Sequence, residues 1–184
     1  QNGGLLHKRA MILRPARLIP ALLDGATLRL GETASVDMSN RTVNGESFDA
    51  IILATAMDTA DQLPWLNLTA RLGQVEWVGD AASAPPDAVT SGTYALAEGP
   101  DRLWGATFEP APAGVIAVSE TARAENAHGL ETLSPWWIRD ARTHTPVSRA
   151  ALRATTVDRL PLVGPVPDHA ATLDLFDGMK KGRP

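Results

Sequence analysis

Apolar positions along this chain change their period several times, and each change marks a predicted element. In "RPARLIPALL", Leu18, Ile19, Leu22 and Leu23 recur at helical spacing. Pro15 suits the first turn, where its missing N–H costs nothing, and Asp24-Gly25 ends the helix. "ATLRLGETASVDM" then predicts a strand pair or a bent strand, with Gly31 as a bulge. Asn44-Gly45 is a hairpin turn signal. "AIILA" is an unbroken aliphatic run and predicts a strand buried on both faces. It ends at Ala54, Thr55 and Ala56, small residues that let another group approach the backbone closely.

Beyond this point the pattern alternates. "ARLGQVEWVG", "SGTYALAEG" and "DRLWGATFE" read as strands, the last two joined through Gly99-Pro100-Asp101. "SETARAENAHGLETL" returns to helical spacing, with Ser119 as its N-cap. Ser134-Pro135 suggests another cap and first turn, and "RAALRATT" a final strand. The fold class expected is α+β: an antiparallel or mixed sheet with helices, plus part of a Rossmann-like domain. The boundary falls near Gln62 to Thr69. That gives three expected units: residues 1–62, a sheet-and-helix domain over 63–155, and a return segment over 156–184.

Composition narrows the function. Hydrophobic residues make up 44% of 184, a globular proportion. A net charge of −4 gives no general case for nucleic acid, so any such binding needs a local basic patch. The lack of cysteine excludes disulfides and thiolate metal sites and is compatible with a cytoplasmic protein. No apolar run approaches the ~20 residues of a membrane span. His7, His128, His144 and His169 lack metal-ligand spacing, so no metal is expected. There is no G-x-G-x-x-G, no phosphate-binding loop and no G-x-S-x-G nucleophile elbow.

One stretch is unusual. In "ALRATTVDRLPLVGPVPDHA" a permanent cation, Arg153, precedes a short apolar piece bracketed by Pro161, Gly164, Pro165 and Pro167. Together with "FDAIILATA", "RLGQVEW", "GTYAL" and "LWGATFE", it resembles the D-amino-acid-oxidase-like family of FAD-dependent oxidoreductases, in particular its tRNA-modifying branch. The resemblance runs from about residue 10 to 176. The family carries Gly where Ala56 stands, and Gly where Ala151 or Leu152 stands. It also has Gly-rich segments before and after the stretch seen here. The chain, which does not begin with Met, therefore reads as an internal fragment expected to bind FAD weakly or not at all by itself.

The resemblance implies roles. Arg153 would hold a substrate carboxylate through two parallel hydrogen bonds, and Tyr94 would help. Ala54 and Thr55 would lie near the FAD phosphates, Thr33 near the adenine, and Leu162, Val163 and Gly164 near the flavin. No catalytic acid or base is implied. The expected reaction is FAD-dependent oxidation of a secondary amine bearing a glycine-like carboxylate, with release of glyoxylate. The substrate would be the carboxymethylaminomethyl group of a tRNA wobble uridine. The alternatives are an oxidase of small amines or amino acids, such as glycine or sarcosine, and a non-catalytic binding module. A wide basic approach would favour tRNA and a closed lid a small substrate. Arg139, Arg142, Arg149, Arg153 and Arg159 form a basic tract that is either a solvated face or a surface for tRNA phosphate. The tryptophans at 65, 77, 104, 136 and 137 suit core or junction packing better than base stacking.

Overall fold

The computed structural model describes residue 5 and residues 7–81, 88–133, 137 and 142–181. The first element is α1 (Pro15–Leu22), with Pro15 in its first turn. Its apolar residues Leu18, Ile19 and Leu22 are exposed. Charge holds its start in place: Arg14 pairs with Glu98 and Asp101 at a distant hairpin. Glu98, and then Asp101, raise the guanidinium's pKa above its ordinary value.

A small antiparallel sheet follows, made of β1 (Val36–Asp37), β2 (Thr42–Val43) and β3 (Glu46–Ser47). The Asn44-Gly45 turn joins the last two with φ of 51° and 83°, the left-handed pair that this dipeptide favours. Two strand expectations fail here. Residues 26–35 are irregular, and Gly31 (φ 74°) is no bulge in a ladder. "AIILA" is not a strand either, and Ile52 is 91% exposed. A strand of this kind needs hydrogen-bonding neighbours on both sides, and no described segment pairs with it.

A 3-10 turn (Ala56–Asp58), the short helix α2 (Thr59–Gln62) and a second 3-10 turn (Pro64–Leu66) lead to the main sheet. This contains β4 (Thr69–Val78), β5 (Val89–Ser91), β6 (Thr93–Glu98), β7 (Asp101–Gly105), β8 (Glu109–Pro110) and β9 (Val147–Thr155). The order is β5-β6-β7-β4, with β8 beside the start of β4 and β9 along its other edge. Every pairing is antiparallel. Gly99-Pro100 forms the tight connection between Glu98 and Asp101, as the sequence predicts. The α+β class expected from the pattern is the observed one.

Helix α3 (Glu120–Leu133) covers one face of this sheet. Ser119 caps it, its Oγ accepting from the Ala122 N–H at 3.4 Å. The core beneath consists of Val78, Ala95, Trp104, Leu130 and Trp137. Trp104 and Trp137 are therefore packing residues, whereas Ser134, Pro135 and Trp136 lie outside the described residues. Next to this core sits a polar lock. Glu76 is fully buried, and its carboxylate accepts from Gln74 Nε2 (2.8 Å), Asn126 Nδ2 (3.2 Å) and Ser148 Oγ. Arg123 Nε lies 3.6 Å away. A buried carboxylate is tolerable only when satisfied in this way.

Helix α4 (His169–Lys180) lies in the segment read from the sequence only as a return. Asp168 caps it, its Oδ1 accepting from the Ala171 N–H at 3.0 Å. His169 stacks on Trp65 with ring centroids 4.9 Å apart.

Two stability effects follow. Asn126→Ala should cost about 1–3 kcal/mol in chemical denaturation, because it strips a donor from Glu76 and from the Gln74 carbonyl inside the core. Ala56 holds φ of 52°, where an L side chain is strained. Ala56→Gly should therefore raise stability by about 1 kcal/mol in the same assay.

Candidate functional site

Strand register decides which residues share a face. Tyr94 opposes Gly105, Gly105 opposes Val75, and Val75 opposes Arg149. Alternate residues along a strand share a side, so Arg71, Gly73, Ala151 and Arg153 stand on this face as well. It is the face opposite α3, because the buried Ala95, Trp104 and Val78 occupy the other parity. Arg153 and Tyr94, predicted together from the sequence, therefore project from the same side. β7 and β4 lie between their strands, a lateral separation of about 14 Å at ordinary strand spacing. No hydrogen bond joins the two: the Arg153 Nη1 bond goes to the Thr107 carbonyl at 3.1 Å.

Two of the positions between them are glycines, and Val75 occupies another. Gly73 and Gly105 both sit on this face without side chains, and both are buried. Gly73 has a specific reason. A Cβ built there would come within 2.3 Å of the Arg153 guanidinium carbon and within 2.4 Å of its Nη1. The guanidinium thus lies flat over the strand, in the space a side chain would fill. Among the described residues no carboxylate lies within 4.0 Å of it. A half-buried cation with one carbonyl partner keeps most of its donors for something else.

Phe108 completes this end of the face. The guanidinium carbons of Arg71, Arg153 and Arg159 stand 5.7, 6.0 and 5.5 Å from its ring centroid. Arg159 arrives from the turn after β9, where its φ is 62°. That turn is held by Thr156 Oγ1 donating to the Leu160 carbonyl (2.9 Å) and by the Leu160 N–H donating to Asp158 Oδ1 (3.0 Å). The Leu160 amide, first, and the Thr156 hydroxyl lower the Asp158 pKa from its ordinary value. The basic tract read from the sequence thus divides. Arg142 pairs with Glu131 at 2.7 Å, Arg149, Arg153 and Arg159 remain at the open face, and Arg139 lies outside the described residues.

The remaining predicted positions are dispersed. Thr33 is exposed in an irregular segment; its neighbours Glu32 and Ala34, but not Thr33 itself, line a groove of about 530 Å³. Ala54 and Thr55 are exposed and lead into the 3-10 turn that packs against β9, and Thr55 Oγ1 lies 2.9 Å from Thr59 Oγ1. Leu162 and Val163 are exposed beside Gly164, whose φ is 154°. No Gly-rich loop at a helix N-terminus, the usual pyrophosphate cradle, occurs among the described residues. Nor does any group of three or more His, Asp or Glu residues placed to hold a metal ion occur among them.

Sequence reading missed Arg71, Gly73 and Phe108 as parts of the site. The signal was present in "RLGQV" and "GATFE", but only strand pairing sets them against Arg153.

No family model matches the chain. It is similar to curated proteins described as "tRNA 5-methylaminomethyl-2-thiouridine biosynthesis bifunctional protein MnmC". The Caulobacter sp. (strain K31) protein is 31% identical over 95% of the chain and 30% of its own length. That of Burkholderia thailandensis is 30% identical over 92% and 29%, and that of Methylobacillus flagellatus 31% over 92% and 28%. The chain thus spans about 30% of the length of these relatives. In structure it is similar to glycine oxidase from Geobacillus kaustophilus, with a TM-score of 0.52 and 23% identity over 67% of this chain and 34% of that one. The recognition drawn from its motifs is borne out in both sequence and fold.

The Gly73 geometry is testable. Gly73→Ala should displace the Arg153 guanidinium from the strand and break its bond to the Thr107 carbonyl, costing about 1 kcal/mol in chemical denaturation.

Proposed function

We propose, starting from a chain similar to MnmC proteins that carries the glycine oxidase fold, that this is the substrate-holding part of an FAD-dependent amine oxidoreductase. Its substrate is a secondary amine whose nitrogen bears a carboxymethyl arm, the form found on a modified tRNA wobble uridine. The observation that carries the reading is Arg153. It is a guanidinium laid over Gly73, bound to one carbonyl, with no described carboxylate beside it.

In this reading Arg153 grips the arm's carboxylate with two parallel N–H···O bonds. A planar fork fixes direction as well as charge, so it also fixes which face of the adjacent CH₂ points away from the sheet. The Thr107 carbonyl holds the fork from the opposite side. Tyr94, on the same face, would donate its hydroxyl proton to the substrate from across the glycine floor. The missing side chain at Gly73 lets the guanidinium rest against the strand, so the arm would lie above the guanidinium and not on the backbone. A bound flavin supplies the two-electron acceptor.

Oxidation removes a hydride from the carbon between nitrogen and carboxylate, and a proton from nitrogen, which leaves a C=N bond. Water adds to that carbon, the C–N bond breaks, and the products are a primary amine and glyoxylate. Thr33, Ala54, Thr55, Leu162, Val163 and Gly164 would form this chain's share of the flavin cradle. Residues 1–62 would serve the cofactor and residues 63–155 the substrate, with 156–184 returning towards the flavin.

The nature of the open face favours tRNA over a free amino acid. Arg71, Arg149, Arg153 and Arg159 all stand at it, in a chain of net charge −4. A polyanion profits from such a surface far more than glycine would.

Arg153→Ala should lower kcat/KM by about 30- to 1000-fold, equivalent to about 2–4 kcal/mol of transition-state binding. Arg153→Lys keeps the charge but loses the fork, so it should fall well short of wild type. Steady-state kinetics on flavin-matched samples of the whole protein, with glyoxylate as readout, check both. Wild-type turnover in Arg153→Ala would refute the anchor role.

A further inference from the structure

We propose that Arg71 and Arg159, gathered around Phe108 beside Arg153, form a second anion subsite that takes an RNA phosphodiester next to the nucleotide being oxidised. This rests on the reading of the substrate as RNA. Three observations support it. Arg71 and Arg153 are register partners on β4 and β9, directly opposite each other on one face. Like charges in that position destabilise a sheet. Arg159 adds a third cation to the same ring, at 5.5 Å from its centroid. Among the described residues, no carboxylate lies within 4.0 Å of any of the three.

The ring explains how the cluster survives but not what it is for. Phe108 offers each cation a π face or edge, a weak compensation at a ring that is itself 44% exposed. The nearest acid in sequence, Asp158, is turned to the Leu160 amide. Three guanidiniums thus converge with their charge unanswered, and an anion seated among them would answer it. One carboxylate needs only one fork, so Arg153 is enough for the substrate's arm. The surplus fits a second anionic group a short distance away, as every nucleotide of an RNA strand provides.

The test uses the full-length, FAD-loaded protein and two probes. A short anticodon stem-loop RNA is followed by fluorescence anisotropy between about 50 and 200 mM salt. Acetate is followed by flavin absorbance. Arg71→Gln and Arg159→Gln should each raise the RNA Kd about 10-fold and flatten the log Kd against log salt slope by about 0.7. The acetate Kd should move by far less than the RNA Kd. Arg153→Ala should show the reverse preference. If Arg71→Gln loses FAD, Arg159→Gln, on a turn outside the sheet, carries the test by itself. An unchanged RNA Kd and slope in both variants would overturn the subsite while leaving the proposed substrate standing. An acetate Kd weakened as much as that for RNA would assign these arginines to the carboxylate site and overturn it too. Failure of the wild-type protein to bind the RNA would overturn this inference together with the reading it rests on.

Discussion

The continuous pairing of β4 with β9, from Thr69 opposite Thr155 to Trp77 opposite Val147, is the constraint on which the rest depends. It sets Ser148 beside Glu76 on the side of α3, and Arg153 beside Arg71 on the other. A slip by one residue would carry the arginines into the core and expose the polar lock, because side chains alternate strictly. The buried carboxylate of Glu76 enforces the register. Its partners come from β4, α3 and β9, and any other pairing would leave a charge buried and unanswered.

The two faces are thus built by opposite means. One is filled, with Trp104, Leu130 and Trp137 packed under α3. The other is emptied, with Gly73 and Gly105 leaving bare backbone where side chains would stand. Emptiness here lets a guanidinium lie down on the sheet, and a cation held flat at a strand surface presents its donors sideways and outward. The charge accumulated around Phe108 has the same origin, since β4, β9 and the turn after β9 each deliver an arginine to one place.

Several elements were legible in the sequence because their signals are local. Asn44-Gly45 and Gly99-Pro100 mark turns that a few backbone angles dictate. The Ser119 cap and the helical spacing after it gave α3, and alternation gave β4, β6, β7 and β9. "AIILA" misled because an aliphatic run states a preference for burial, and the strand itself requires neighbours that no described segment supplies.

Arg153 stood out in the sequence through the company of its motif, and Tyr94 only through the family resemblance that the motif carries. Their common face follows from parity once the strands are known, but the order of the strands does not. That Arg71 opposes Arg153, that Gly73 lies beneath its guanidinium, and that Phe108 gathers three cations are facts of pairing between distant segments. The sequence by itself determined several of the elements and one charged residue, because propensity, capping and turn chemistry act within a few positions. Only the tertiary structure decided which side chains meet and which positions had to remain empty, because those depend on a register fixed between residues far apart in the chain.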